Sequence, residues 1–308
     1  MTGNPDAATP AALWERLAST GLIHRLIDLA HDEDLGTQGD VTSAACLSHA
    51  TPGRARVIAR APGVISGLAA LPIIMPRFAP GSTFTVHCQD GTTVRARTDL
   101  ATLTGPLTEL LAAERTILNL LGRLSGVATL TATHVAALPP GCRARVYDTR
   151  KTTPGLRVLE KYAVRCGGGL SHRLGLHDAV LIKDNHIASV PCAQLARFVA
   201  DAAARARANS RIDFVQVEAD TLDQFESLLS LPRGTIDIVL LDNMTTDQLR
   251  HACTRRDRVN PGLELEASGG VTLSSLPAIA STGVDRISIG ALTHHAVSLD
   301  VAMDVDAA

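Results

Sequence analysis

The chain has 308 residues, 45% of them hydrophobic, which is enough for a sizeable core in one large domain or two medium ones. A formal net charge of -2 and only 3% aromatic residues exclude the basic, base-stacking surface of a nucleic-acid binder. No stretch approaches the roughly 18 uninterrupted apolar residues of a membrane helix, and the Ala-, Thr- and Pro-rich opening lacks the basic and apolar regions of a secretory signal, so a cytoplasmic protein is expected.

Residues 1–12 read as a frayed tail. From 13 to 30, apolar positions at helical spacing (Leu13, Leu17, Leu22, Leu26, Leu29) predict a helix that breaks at His31–Thr37. Short β-prone runs between Arg54 and Leu103, such as Ala55–Arg60 and Thr83–His87, alternate with Pro62-Gly63, Pro80-Gly81 and Asp90-Gly91 and predict a small antiparallel sheet with hairpin turns. Leu107, Leu110, Leu111, Leu118, Leu121 and Leu124 form one helical face, with Arg115 at its margin, where spacing alone favours a snorkelling, solvated head. The six cysteines are dispersed without a C-x-x-C pair and read as free thiols.

After Pro139-Pro140 six strand-like runs, within Arg145–Gly155, Ala179–Asn185, Asp213–Glu218, Ile236–Asn243, Leu263–Gly270 and Asp285–Gly290, recur about 22 to 35 residues apart, a spacing suited to β-loop-α units rather than hairpins. Stretches such as Cys192–Arg207, Leu222–Leu229 and Thr246–Thr254 supply intervening helices, and Val297–Ala308 is short enough to return and pack on the first half. Each run exits into polar or glycine-rich residues. That arrangement predicts a parallel β/α barrel, incomplete at six strands, with chemistry at its C-terminal face.

Arg150, Lys151, His172, Arg173 and Lys183 would converge at that face as an anion site, since Arg forks match carboxylate or phosphate oxygens and Lys supplies a mobile charge. Pairing with barrel acids is the structural alternative for each cation. Glu218 and Asp242 close two adjacent runs and could hold sugar hydroxyls, organise hydrated Mg²⁺, or stabilise a cationic reaction centre, although carboxylates also cap loops routinely. Ser268-Gly269-Gly270 and Gly290 with His294 follow the last two runs, where glycine lets backbone N–H groups approach an anion.

Four stretches, Asp148–Arg157, Gly167–Leu176, Leu181–His186 and Leu265–Val271, together with Glu33–Gly36, Gly39–Thr42 and Glu114–Gly126, carry a resemblance to the quinolinate phosphoribosyltransferase family that runs from about Asp28 to Asp300. The resemblance implies an α/β class fold: an N-terminal α/β sandwich over 13–126, an incomplete β/α barrel over 127–291, and 292–308 packing back on the first domain. It implies a homodimer with shared sites and conversion of quinolinate and phosphoribosyl pyrophosphate (PRPP) to nicotinate mononucleotide, pyrophosphate and CO₂ with Mg²⁺, in NAD biosynthesis. Arg115 from the partner subunit, with Arg150, His172 and Arg173, would hold quinolinate, which reverses the solvated reading of Arg115. Lys151 and Lys183 would face the pyrophosphate, Glu218 and Asp242 the ribose and metal, and Ser268, Gly269, Gly270, Gly290 and His294 the 5-phosphate.

Two positions depart from the family pattern: Gln216 stands where Glu is usual, removing a negative charge beside the implied metal region, and His295 replaces a more usual Ser. Three other readings compete. A paralogue of this fold could act on another base, or on nicotinate without decarboxylation; a Schiff-base aldolase could use Lys151 or Lys183; a sensor could bind PRPP without releasing pyrophosphate.

Overall fold

The computed structural model describes residues 9–49 and 51–306 of the chain. It begins with helices α1 (Pro10–Ala18), α2 (Leu22–Leu35) and α3 (Val41–Cys46). Residues 10–12 of the expected frayed tail are therefore helical, and residues 1–8 lie outside the described residues. Thr9 accepts a hydrogen bond from the Ala12 amide and Pro10 occupies the first turn, where its missing N–H has no cost. The single helix expected over 13–30 is two, because Gly21 adopts a left-handed φ of 71°. The second then runs through His31–Leu35, past the expected break, and stops at Gly36.

There follow β1 (Pro52–Ala59), β2 (Gly63–Val64), α4 (Leu71–Phe78), β3 (Thr83–Val86), β4 (Thr93–Val94), β5 (Thr98–Pro106) and α5 (Leu107–Ala136). Next come β6 (Arg145–Tyr147), α6 (Arg157–Cys166), β7 (Val180–Ile182), α7 (Asp184–Ile187), α8 (Cys192–Asn209), β8 (Val215–Ala219) and α9 (Leu222–Leu229). The chain finishes with β9 (Ile238–Asp242), α10 (Thr246–Val259), β10 (Glu264–Ser268), α11 (Leu276–Ala280), β11 (Arg286–Ser288), α12 (Ala291–His294) and β12 (Val301–Val305).

The chain divides into two compact units that interleave in sequence. One comprises the residues up to Ala132, Lys151–Gly169 and everything from Ala291; the other comprises Thr133–Arg150 and Leu170–Gly290. Lys151–Gly169, between the first two barrel strands, groups with the N-terminal half, as do the residues from Ala291.

In the first unit a four-stranded antiparallel sheet has the order β12-β1-β5-β3. The expected antiparallel sheet is present, but its pairings are mostly not hairpins: β1 pairs with β5, and β12 adds to β1 with Val57 opposite Met303. Residues from the far end of the chain thus complete this sheet. Strand β1 alternates exposed or half-buried with buried positions, the latter Ala55, Val57 and Ala59, so one face turns to a core. Helix α5 buries Leu110, Ala113, Ile117, Leu121 and Leu124, a 3.6-residue stripe, and continues well past the predicted Leu124.

The second unit contains a six-stranded parallel sheet of order β6-β11-β10-β9-β8-β7. This is sequence order read around a circle and opened between β6 and β7, which is the connectivity of a β/α barrel lacking closure there. Arg286 on β11 stacks on Tyr147 at 3.7 Å and lies 5.7 Å from the Phe214 ring beside β8. Two strands, β10 and β9, separate β11 from β8, so these side chains meet only because the sheet curls around an interior.

Candidate active site

In a parallel sheet, residues in register point to the same side. Glu218 pairs with Leu240, Leu240 with Glu266 and Glu266 with Arg286, which puts Glu218, Glu266 and Arg286 in one inward-facing layer. Asp242 pairs with Ser268 one inward position closer to the C-terminal strand ends. Glu218 and Asp242 therefore occupy successive levels of the site, not opposed positions.

Lys183, just beyond β7, directs its Nζ to Glu218 Oε2 at 2.5 Å. The carboxylate is buried while the ammonium is half-exposed, so Lys183 is anchored at one side and presented to solvent at the other. Asp220 belongs to this cluster too, though its residue type and position did not single it out in the sequence. Partial burial raises its carboxyl above the ordinary value, with the negative Asp242 and Asp184 adding to this and Lys183 opposing it. Among the described residues no group of three or more His, Cys, Asp or Glu side chains is placed to hold a metal ion.

His172 and Arg173 follow the glycine run and are both buried. Asp148 accepts the His172 amide at 2.8 Å, and the Arg173 amide lies 2.7 Å from His172 Nδ1, which turns Nε2 toward Glu266 Oε1 at 3.5 Å. The Arg173 guanidinium reaches the Ala179 carbonyl. Arg150 is half-buried at the end of the segment that leaves β6.

Glu266 is the chief residue that reading the sequence missed, although it sits inside the quoted Leu265–Val271 motif. Its Oε2 accepts from Arg286 Nε at 2.9 Å, and Arg286 also reaches Glu264 at 3.2 Å. Burial alone would raise the Glu266 carboxyl, yet His172 and Arg286 outweigh it and hold it down to about 2. A signal was available: Glu264 and Glu266, like Arg286 and Ser288, alternate at period two on core strands, where ionisable residues persist only if paired.

Glu266→Gln is expected to destabilise the protein by up to about 3–5 kcal/mol at neutral pH, because the buried Arg286 would lose its buried counter-charge and keep only the half-exposed Glu264 at 3.2 Å. A carboxyl depressed from 4.5 in the unfolded chain to about 2 stabilises the fold above the unfolded value, and that contribution is lost as pH falls toward the folded one. The gap in melting temperature between wild type and variant should thus narrow between about pH 4.5 and about pH 2. A gap unchanged across that range would remove the charge on Glu266 as its cause.

Gln216 lies two residues before Glu218 on the same face, fully buried, and neither amide atom has a hydrogen-bond partner. A neutral amide is less costly to bury there than the carboxylate expected from the family pattern. Ser268 ends β10, and Gly269 and Gly270 follow it with φ of 89° and 59°. A Cβ on Gly269 would collide with Asn243 Oδ1 at 2.1 Å, so this turn requires glycine. Gly290 closes the segment after β11.

The remaining predicted residues belong to the first unit. Lys151 and His294 are exposed there, and the His294 imidazole lies below its ordinary pKa through burial, with His295 and Lys151 adding to the effect. His294 and His295 rings meet edge to face at 4.1 Å. Arg115 is 65% exposed, and its Nη2 is 3.8 Å from Glu114. The cysteines among the described residues are free thiols.

An open β/α barrel with lysine, arginine and carboxylate groups at its strand ends suits a phosphoribosyltransferase-class enzyme, and the relatives of this chain are of that class. The family described as quinolinate phosphoribosyl transferase matches with its N-terminal domain over residues 40–125 and its C-terminal domain over 127–304. The carboxylating nicotinate-nucleotide pyrophosphorylase of Mycobacterium leprae is 39% identical over 275 residues, covering 89% of this chain and 93% of that protein. Solved nicotinate-nucleotide pyrophosphorylases from Francisella tularensis and Ehrlichia chaffeensis superpose with TM-scores of 0.82 and 0.80, each 35% identical and covering 92% of this chain, and 96% and 98% of theirs. The chain belongs to the quinolinate phosphoribosyltransferase family.

Proposed function

We propose that this chain converts quinolinate and PRPP to nicotinate mononucleotide, pyrophosphate and CO₂, a step of NAD biosynthesis, as a cytoplasmic homodimer. The observation that carries the reading is the family match across residues 40–304. No helix among the described residues is long and apolar enough to cross a membrane.

Arg150, His172 and Arg173, with Arg115 of the neighbouring copy, pair with the two quinolinate carboxylates. Lys151 and Lys183 face the pyrophosphate; Ser268, Gly269, Gly270, Gly290 and His294 hold the 5-phosphate; Glu218 and Asp242 face the ribose. Glu218 and Asp242, at successive levels of the strand ends, offer the carboxylate oxygens that suit a hard cation. With too few protein ligands for a closed cage, Glu218 and Asp242 would hold Mg²⁺ through water and PRPP oxygens. When bound, it supplies positive charge that neutralises the pyrophosphate.

As the C1–O bond to pyrophosphate breaks, positive charge develops on the ribose, and the carboxylates of Glu218 and Asp242 stabilise it. The pyridine nitrogen forms the new bond to C1. N-alkylation makes the ring an electron sink, so the C2–carboxylate bond can break to release CO₂ and leave its electron pair on the ring, which then takes a proton. Lys183, already paired with Glu218, can extend its other N–H groups to departing oxygens.

Purified protein given quinolinate and PRPP should release CO₂ and form nicotinate mononucleotide in equal amounts. Nicotinate lacks the second carboxylate and should be a poorer substrate by more than about 10²-fold in kcat/KM, since the cations that pair that group would remain unmatched. Equal use of the two compounds would assign the site to a non-decarboxylating relative. PRPP binding without turnover would leave only a sensor.

A further inference from the structure

One ion pair in the first unit, with its carboxylate buried and its guanidinium half-buried, is used by none of the roles above. Glu160 on α6 is fully buried, and its Oε1 accepts from Arg123 of α5 at 3.1 Å through Nε and 2.7 Å through Nη2. Both partners make further bonds, Arg123 to backbone carbonyls and Glu160 to Thr153. Arg123 donates through Nη1 to the Ala296 carbonyl at 2.8 Å and through Nη2 to that of Thr293. Glu160 accepts the Thr153 amide at 3.0 Å and the Thr153 hydroxyl at 2.9 Å. Thr293 in turn donates its hydroxyl to the Lys151 carbonyl.

These contacts close a ring through α5, α6, the segment Lys151–Thr153 and the segment Thr293–Ala296. The ring holds backbone two residues after Lys151 and on both sides of His294. An ion pair withdrawn from water contributes little net stability compared with an apolar pair of the same shape, whereas it fixes geometry strictly through its many directed bonds. Only a planar guanidinium could serve Glu160 and two carbonyls at once, because its donors diverge in a rigid fork.

We propose that Arg123 and Glu160 are positioning residues for the phosphoribosyl donor: their ion pair sets the placement of Lys151 against pyrophosphate and of His294 against the 5-phosphate. The inference rests on the proposed function in assigning those two contacts to PRPP. The segment after β6 and the segment after β11 are thereby locked to each other, so the two anion grips keep a constant separation.

The test compares wild type with Arg123→Lys and Thr293→Val, measuring kcat, both KM values, melting temperature, and calorimetric affinity for inorganic pyrophosphate. Lysine keeps the charge but cannot span three acceptors. In Arg123→Lys the KM for PRPP should rise, and pyrophosphate affinity fall, by about tenfold. Turnover should drop by up to about 10²-fold, as misplacement of reacting groups by an ångström predicts. The quinolinate KM should stay within about twofold. Thr293→Val preserves shape and removes the hydroxyl that donates to the Lys151 carbonyl. The same split should appear at about three- to tenfold, and this variant decides the matter if Arg123→Lys does not fold.

Lower melting temperature with unchanged PRPP KM, turnover and pyrophosphate affinity would make the ion pair merely structural and overturn the proposal. An equal loss for both substrates would do the same. Wild type that binds pyrophosphate but does not convert quinolinate would sink the proposed function, leaving the pyrophosphate comparison to decide the clamp. Wild type without pyrophosphate affinity would overturn the clamp itself.

Discussion

Lys151→Ala is expected to lose about 10² to 10³ in turnover, equivalent to about 2.7 to 4 kcal/mol, while remaining folded. An ammonium aimed at departing pyrophosphate acts most strongly when negative charge is developing on the bridging oxygen, so kcat should fall with kcat/KM. Folding should be spared. The side chain is exposed, and the bond that Lys151 receives from Thr293 goes to its backbone carbonyl, which alanine retains. Circular dichroism and thermal unfolding of the variant would establish its integrity before kinetics are compared. A folded variant with near wild-type turnover would remove Lys151 from the mechanism.

Mixing two inactive variants should restore activity if the proposed dimer shares its sites. Arg115 lies on α5 with its guanidinium largely in solvent, and the nearby Glu114 carboxylate at 3.8 Å is a weak, water-screened partner. It is therefore available to a second copy. If each site combines Arg115 of one chain with Lys151 of the other, both the Arg115→Ala and the Lys151→Ala homodimers should be crippled. After subunit exchange of equal amounts, about half the dimers would be mixed, and each would own one doubly defective and one intact site. Activity should then approach about a quarter of wild type. Demonstrated exchange without recovery would place Arg115 in its own chain's site or outside any site.

Much of the barrel was legible because its strands are short apolar runs that end in polar residues, a pattern set by the two-residue period and by the loops that follow. The runs at Ile236–Asn243 and Leu263–Gly270 became β9 and β10, and helices α8, α9 and α10 begin at or next to the expected residues. Boundaries were less legible. Helix α10 continues to Val259, past Thr254, since its buried stripe goes on to Arg256 and Asn260 ends it. In the N-terminal region the turn signals at Pro80-Gly81 and Asp90-Gly91 suggested hairpins, whereas β1 pairs with β5 and β12. Local turn chemistry reports where the chain bends, not which strand it meets.

By itself the sequence determined the inventory: a parallel α/β unit, the cations Arg150, Lys151, His172, Arg173 and Lys183, the carboxylates Glu218 and Asp242, and the glycine turns at Gly269 and Gly270. These are properties of short segments, fixed by period, residue chemistry and backbone freedom. Tertiary structure alone decided the pairings. Lys183 with Glu218 joins residues 35 positions apart, and the His172–Glu266 and Arg286–Glu266 contacts and the Arg123–Glu160 clamp require strands or helices to be brought together by the fold. The placement of Asp242 one level above Glu218 follows from sheet register, which depends on the neighbouring strand. A buried charge is tolerated only when its partner arrives, and that partner is selected by packing in three dimensions, where separation along the chain carries no information.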